Sequence, residues 1–190
     1  MCGRYQAGLT DLDMEQYRQA IKEIESMVTA PVPTREAFPS QELPIIIHQG
    51  FTSANWGYPL DNKLVINARS ETITSRRLFS QAIITSRCLI PAQSYYEWKQ
   101  HKVKYQVETD DIMTMAGLIL ASDQGSRFVI ITTDANQQIE PIHHRMPVLL
   151  KPEQLSAYLF DTASAIDMLK PFNGPLQLSA LSPEQLSLFD

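Results

Sequence analysis

The second residue of the chain is Cys2, directly behind Met1. A small residue at this position favours removal of the initiator Met, which would leave an α-amine and a thiol on neighbouring carbons. Their reference pKa values are about 7.7–8.0 for the amine and about 8.5 for the thiol, so both reach a nucleophilic form near neutral pH with modest help. Such a 1,2-aminothiol captures aldehydes: the amine forms an imine, and the thiolate closes a five-membered thiazolidine. Taken alone, Cys2 reads first as an ordinary residue at a fraying chain end.

Further along lies Tyr95-Tyr96-Glu97-Trp98. A carboxylate among bulky aromatics loses water, which raises its pKa into a range useful for proton transfer to and from a carbinolamine. Strand alternation offers the opposite reading, with Tyr96 and Trp98 inward and Glu97 outward. Pro141-Ile142-His143-His144-Arg145-Met146-Pro147 sets two histidines between prolines that restrain the backbone; histidine is the natural proton shuttle near pH 7, and only one of the pair need be catalytic. In Val65-Ile66-Asn67-Ala68-Arg69, Asn67 could orient a sugar hydroxyl and Arg69 could take a phosphate. Arg76 and Arg77 follow, with Arg4 and Arg87 as further candidates for a basic face; solvated surface is the commoner fate of such arginines. Cys88, in Cys88-Leu89-Ile90, reads as a small buried hydrophobe. His48 and His101 stand alone. No Cys/His cluster has zinc spacing.

These residues need a scaffold. Met14, Tyr17, Ile21, Ile24 and Val28 recur at helical spacing, predicting a helix over 10–28 capped by Thr10. Pro31, Pro33 and Pro39 mark an extended connection. Strands are predicted at Leu43–His48 and, after an Asp61-Asn62 turn, at Leu64–Asn67. Glu71–Ile84 reads as a helix with Leu78, Phe79 and Ala82 inward. From residue 87 the texture is β: Arg87–Ala92, Tyr95–Lys99, Lys102–Glu108, Met113–Ala121 and Arg127–Thr133 are rich in Ile, Val, Thr and Tyr. Pro147–Leu150 reads as a strand, Pro152 opens a helix, and 164–170 suits a short one. With no repeat and no long linker, the expectation is one α+β domain with a mainly antiparallel sheet.

The 190 residues suffice for one full core, and 44% apolar content is an ordinary globular level that argues against disorder. The net charge of −5 argues against a generally basic nucleic-acid binder but leaves room for a local basic face. Met1-Cys2-Gly3-Arg4-Tyr5 carries no apolar signal region. The apolar run near Met113–Ala121 is too short to span a bilayer, so no membrane partner and a cytoplasmic location are expected. A disulfide is not expected in that compartment.

In order along the chain, Met1-Cys2-Gly3-Arg4-Tyr5, Trp56-Gly57, Ile66-Asn67-Ala68-Arg69-Ser70-Glu71-Thr72, Arg87-Cys88-Leu89-Ile90-Pro91-Ala92, Tyr96-Glu97-Trp98 and His143-His144-Arg145-Met146-Pro147 resemble the SOS-response-associated peptidase (SRAP) family, the abasic-site shield proteins. The resemblance implies a curved, mainly antiparallel, partly barrel-like sheet with flanking helices. It also implies covalent capture of abasic sites in single-stranded DNA. Cys2 matches the crosslinking nucleophile, Asn67 the pocket amide, Glu97 the general acid/base, and His143 the histidine that assists sugar opening and adduct reversal. Arg4, Arg69 and Arg77 match contacts to the DNA backbone, and Pro39 a residue near the strand's path. His144 falls at a variable position. The chain departs from the family pattern in a shorter loop with Leu60-Asp61-Asn62, in Glu36 where many members have Asn, and in Ser94 where a Gly is common.

The implied chemistry runs from an imine on the Cys2 amine to a thiazolidine on its thiol. A weak lyase branch and self-removal of Met1 accompany it, in a monomer without cofactors. Two other readings stay open at this point. One is a cysteine peptidase using Cys2 and His143, which needs the thiol but not the free amine. The other is a non-covalent single-stranded DNA binding module, in which Cys2 is dispensable. Residues 1–180 are assigned to the domain and 181–190 to a tail. The tail's Gln185-Leu186-Ser187-Leu188-Phe189 resembles the peptide by which bacterial repair proteins dock on the sliding clamp, with Gln185, Leu186, Leu188 and Phe189 as contacts. The competing reading is a terminal strand covering the sheet.

Overall fold

The computed structural model describes residues 2–22, 31–100, 102–123 and 125–181. Met1, Ile24, Val28, His101 and the tail positions Gln185, Leu186, Leu188 and Phe189 lie outside them. The strands are β1 (Tyr5–Leu9), β2 (Val32–Ala37), β3 (Glu42–Ile47), β4 (Gly50–Trp56), β5 (Tyr58–Leu60), β6 (Lys63–Val65), β7 (Asn67–Arg69), β8 (Arg87–Ala92), β9 (Ser94–Lys99), β10 (Val103–Glu108), β11 (Met113–Ser122), β12 (Gly125–Asp134), β13 (Arg145–Pro147), β14 (Leu149–Leu150) and β15 (Gln177–Ala180). Four short helices complete the set: α1 (Asp11–Ala20), α2 (Ala82–Thr85), α3 (Leu155–Phe160) and α4 (Thr162–Asp167).

β12 pairs with β4, β4 with β3, β3 with β8, β8 with β11, and β11 back with β12. The ring therefore closes into a small barrel, which removes exposed strand edges. β7, β13 and β14 are added at its margins. A second, five-stranded sheet runs β15-β10-β9-β1-β2. Among the described pairings only β12–β4 and β12–β7 are parallel. The fold is thus α+β in one domain, mostly antiparallel and partly barrel-like.

Alternation along the strands divides the core in two. Ile46, Leu89, Leu118, Val129 and Ile131 pack with the helical residues Met14, Tyr17, Ile83, Leu155 and Tyr158. Ile45, Ile90, Met115, Phe128 and Ile130 pack instead with Tyr5, Ala7, Tyr95 and Val107 from the five-stranded sheet and with Cys2, which precedes it. The long strand β11 is buried on both faces, which is why it reads as a continuous apolar run.

Several predicted elements take other forms. Thr10 caps α1 through a full capping box with Asp13, but the helix stops at Ala20, where Ile21 leaves helical geometry at φ −123°. The proline-marked connection contains strand β2; as the outer strand of its sheet it tolerates Pro33, whose missing N–H faces no ladder partner. Glu71–Ile84 is a 3-10 turn at Ser70–Thr72, a run of turns, and α2. Phe79 and Ala82 still face inward, so the apolar anchors were correct and the continuous helix was not. No strand is predicted at β1 or β4, yet both are internal strands with partners on either flank. No helix among the described residues is long and apolar enough to cross a membrane.

Candidate active site

Antiparallel pairing sets Tyr5 of β1 opposite Tyr95 of β9. Side chains two apart share a face, so Tyr95 and Glu97 point together toward the barrel, and Tyr96 and Trp98 point away. Tyr5, Tyr95 and Cys2 are fully buried and Glu97 is 2% exposed. The outward alternative for Glu97 is therefore overturned. Trp56 walls this cluster: it meets the Tyr5 ring edge-on at 5.3 Å, stacks on Phe128, and donates its indole N–H to the Ile66 carbonyl at 3.1 Å.

Ile66 leads into Asn67, which opens β7 beside Ile130 of β12. The Asn67 Nδ2 donates to the Cys2 carbonyl oxygen at 3.0 Å, and the Cys2 thiol points at the Arg4 carbonyl at 3.8 Å. Burial pushes the Glu97 carboxyl up to about 7. Burial, and then the nearby Glu97 carboxylate, drive the Cys2 thiol well above its ordinary value. A nucleophile precursor, an amide that fixes its backbone and a carboxyl poised near neutrality thus share one dry cluster.

The outer face of the same sheet is built from charge. Arg4 lies over Phe38 at 4.5 Å and over Trp98 at 5.5 Å, with its Nη1 3.4 Å from Glu36 Oε1. Lys104, nearly buried, places its Nζ 2.8 Å from the same oxygen and 3.9 Å from the Tyr96 ring centroid. Glu36, one of the departures from the family pattern, therefore sits between two cations. Pro39 is half-buried beside Phe38 and ahead of Ser40, which adopts φ 73°. Arg69 and Arg77 are exposed.

The His143 segment approaches from the other side of β12. Thr132 faces Arg69 on one flank and Pro147 on the other. His143 Nδ1 lies 3.0 Å from the Arg145 N–H and 3.1 Å from its carbonyl, and the ring stacks on His144 at 4.4 Å. Arg145 is 6% exposed; it donates to both Glu71 oxygens at 2.7 and 2.9 Å, to Asp134 at 2.7 Å and to the Thr132 carbonyl at 2.8 Å. Because Glu71 lies two residues beyond β7, this bidentate pair ties the segment carrying Asn67 to the segment carrying His143. Arg87 is removed from the basic face: it is buried, donating to the carbonyls of Ile83, Ile84, Tyr158 and Leu159. A cleft of about 290 Å³ framed by Asp110, Ile112, Leu149 and Phe172 is lined by none of these site residues.

The SOS response associated peptidase (SRAP) model matches residues 1–185. The chain belongs to the SRAP family. The abasic site processing protein YoaM of Bacillus subtilis is 30% identical, over 82% of this chain and 78% of its own length. The abasic site processing protein YedK of Escherichia coli is 32% identical over 52% of this chain and 50% of its own. Crystal structures of proteins from Bacteroides thetaiotaomicron and Bordetella bronchiseptica each superpose at a TM-score of 0.76 with 23% identity. The first alignment covers 98% of this chain and 94% of that one, and the second 95% and 100%. These two superpositions establish the fold.

In this SRAP domain, sequence reasoning missed the two buried phenols beside Cys2 and the Glu71–Arg145–Asp134 tie. Tyr5 and Tyr95 were legible only as strand aromatics, because their place beside Cys2 depends on a β1–β9 pairing between residues 90 apart. Glu71 and Arg145 were both within quoted motifs, but nothing in the spacing pairs them. Among the described residues, no His/Cys/Asp/Glu group could hold a metal ion.

Proposed function

We propose that this SRAP protein captures abasic sites in single-stranded DNA, as a thiazolidine on Cys2 freed by removal of Met1. The reading rests on one observation: Cys2, Asn67 and Glu97 converge in a water-poor cluster, with Glu97 near 7. The ring-opened lesion offers an aldehyde. The Cys2 amine adds to its C1′, and Glu97 in its acid form protonates the departing hydroxyl, so that water leaves and an imine remains. The Glu97 carboxylate then takes the thiol proton. The sulfur closes on C1′, and the imine nitrogen regains a proton as the ring amine. The thiol needs such a base, because burial holds it protonated.

His143 assists opening of the closed sugar and reversal of the adduct. Arg4, Arg69 and Arg77 bind the phosphates, and Pro39 borders the strand. Elimination of phosphate from the imine accounts for a weak lyase branch, and the same thiol serves in releasing Met1. A peptidase would need a thiol–imidazole pair that lowers the thiol pKa. The charged side chain that acts on Cys2 is instead Glu97, which raises it, and this favours aldehyde capture.

The test is intact mass after mixing with an abasic single strand. The expected adduct is the sum of protein and DNA less one water, present only when Met1 has been removed. A retained N-terminal tag that still gives the full adduct would sink the aminothiol chemistry.

A docking partner for the tail is a separate proposal. Gln185, Leu186, Leu188 and Phe189 suit a bacterial sliding clamp, with the apolar side chains filling a pocket and Gln185 hydrogen-bonding at its edge. In support, β15, which precedes this segment, is exposed along its length at the edge of its sheet, on β10. A peptide of residues 181–190 is expected to bind a clamp by calorimetry, and no heat of binding would end the idea.

A further inference from the structure

Most buried phenols in this protein are paired. Tyr17 reaches Thr114 Oγ1 at 2.7 Å, Tyr158 donates to the Gly117 carbonyl at 3.0 Å, and Tyr96 donates to Gln6 at 2.8 Å. Tyr5 and Tyr95 differ. Both are fully buried, and neither hydroxyl has a hydrogen-bond partner among the described residues. The Asn67 Oδ1 is unpaired in the same way, although its Nδ2 is fixed to Cys2.

Orphaned polar atoms are rare in native interiors, and a group of them at one place asks for an explanation. The place here is the surroundings of Cys2. Tyr5 and Tyr95 are register partners on the face that carries Glu97, in one packed cluster with Cys2. After burial, the Cys2 sulfur is the next influence on both phenols. Burial holds both phenols protonated, so each is available as a donor.

We propose that the Tyr5 and Tyr95 hydroxyls are catalytic hydrogen-bond donors to the oxygen on C1′ of the captured aldehyde, with Asn67 Oδ1 as the matching acceptor. This rests on the aldehyde-capture reading above. When the Cys2 amine adds to C1′, the carbonyl oxygen gains the electron pair of the broken π bond. Two preset donors in a low-dielectric site stabilise that charge without reorganisation. The phenols keep their protons throughout. Glu97 supplies the proton that turns the oxygen into a leaving water.

The experiment uses Tyr5→Phe, Tyr95→Phe and the double variant in the full chain with Met1 removed. Adduct formation is timed at saturating abasic single-stranded DNA, and thermal melting is measured alongside. Each single variant is expected to slow capture about 10-fold or more. The Tm should stay level or rise, because an unpaired buried hydroxyl is being removed. Non-covalent affinity, read in a Cys2→Ala background, should not change. Undiminished capture in the double variant overturns the proposal. So does a fall in Tm that tracks the loss of capture, since the hydroxyls would then be structural. Should the wild-type chain form no adduct, the capture reading itself fails, and the phenols lose their role with it.

Discussion

Glu97 and Glu36 lie on opposite faces of one five-stranded sheet, and they show how the same side chain is put to two uses. Glu97, on the face toward the barrel, sits among Tyr95 and Cys2, and burial lifts its carboxyl to about 7. The Glu36 side chain is also well covered, at 12% exposure, yet it faces Lys104 at 2.8 Å and Arg4 at 3.4 Å. The two carboxyls are thus placed differently: Glu36 meets two cations of its own sheet face, and Glu97 lies among aromatic and sulfur groups. What separates the two is whether the sheet supplies cations on that face. Alternation along β9 and β10 decides this, by sending Tyr96, Trp98 and Lys104 outward and Tyr95 and Glu97 inward.

The same substitution at both positions sharpens the comparison. Glu97→Gln is expected to slow adduct formation by about 10²-fold or more, because it removes the acid and the base together. Its effect on stability has the opposite sense. From about pH 4.5 to about 7 the folded chain keeps a proton on Glu97 that the unfolded chain has released, so stability falls as pH rises through that window. The interval corresponds to about 3 kcal/mol. Glu97→Gln should remove this slope and leave the protein more stable than wild type at pH 8. Melting curves at pH 5 and pH 8 measure it, and equal slopes in the two proteins would show that Glu97 is ionised in the fold.

Glu36→Gln should do the reverse, with a smaller effect. Lys104 loses the carboxylate that compensates it, at a cost of about 2 kcal/mol at neutral pH. Arg4 at the same time loses an anion that competes with phosphate, so affinity for single-stranded DNA should rise a few-fold. Capture at saturating DNA should keep its rate. Titrations in the Arg4→Ala background check the assignment: a gain that persists without Arg4 would come from the net charge alone.

Much of this was legible in the sequence because motif residues carry their chemistry wherever they are placed. Cys2, Asn67 and Glu97 were named through the ordered motifs that resemble the SRAP family, because residue type alone favoured an ordinary chain-end residue at Cys2 and a surface carboxylate at Glu97; the structure brings those three together. Strands β8 to β12 were read from β-branched and aromatic content with ends close to those observed. Pairing was not legible. Whether Glu97 faces in or out depends on which face of β9 the barrel covers, and alternation gives two faces without saying which is buried. Strands β1 and β4 escaped because Gly8 and the run Thr52-Ser53-Ala54-Asn55 have weak strand character; their partners on both flanks hold them in the sheets. The Glu71–Ile84 stretch has helical spacing at Leu78, Phe79 and Ala82, but core contacts satisfied by successive turns can mimic that period.

The arginines give the finest test of the two-sided scheme. Arg145 and Arg87 are buried and spend their donors on carboxylates and carbonyls within the fold, whereas Arg69 and Arg77 are exposed. An exposed guanidinium that binds phosphate contributes through released counterions, and each such contact on a single strand steepens log K against log salt by about 0.7. Arg69→Ala and Arg77→Ala should each weaken binding a few-fold at low salt, flatten that slope by about this amount, and act alike on all sequences. Their melting temperatures should match wild type, because neither side chain is packed. Affinity that is indifferent to salt, or a loss confined to one base composition, would place the strand away from these residues and leave Arg4 as the cation to test next.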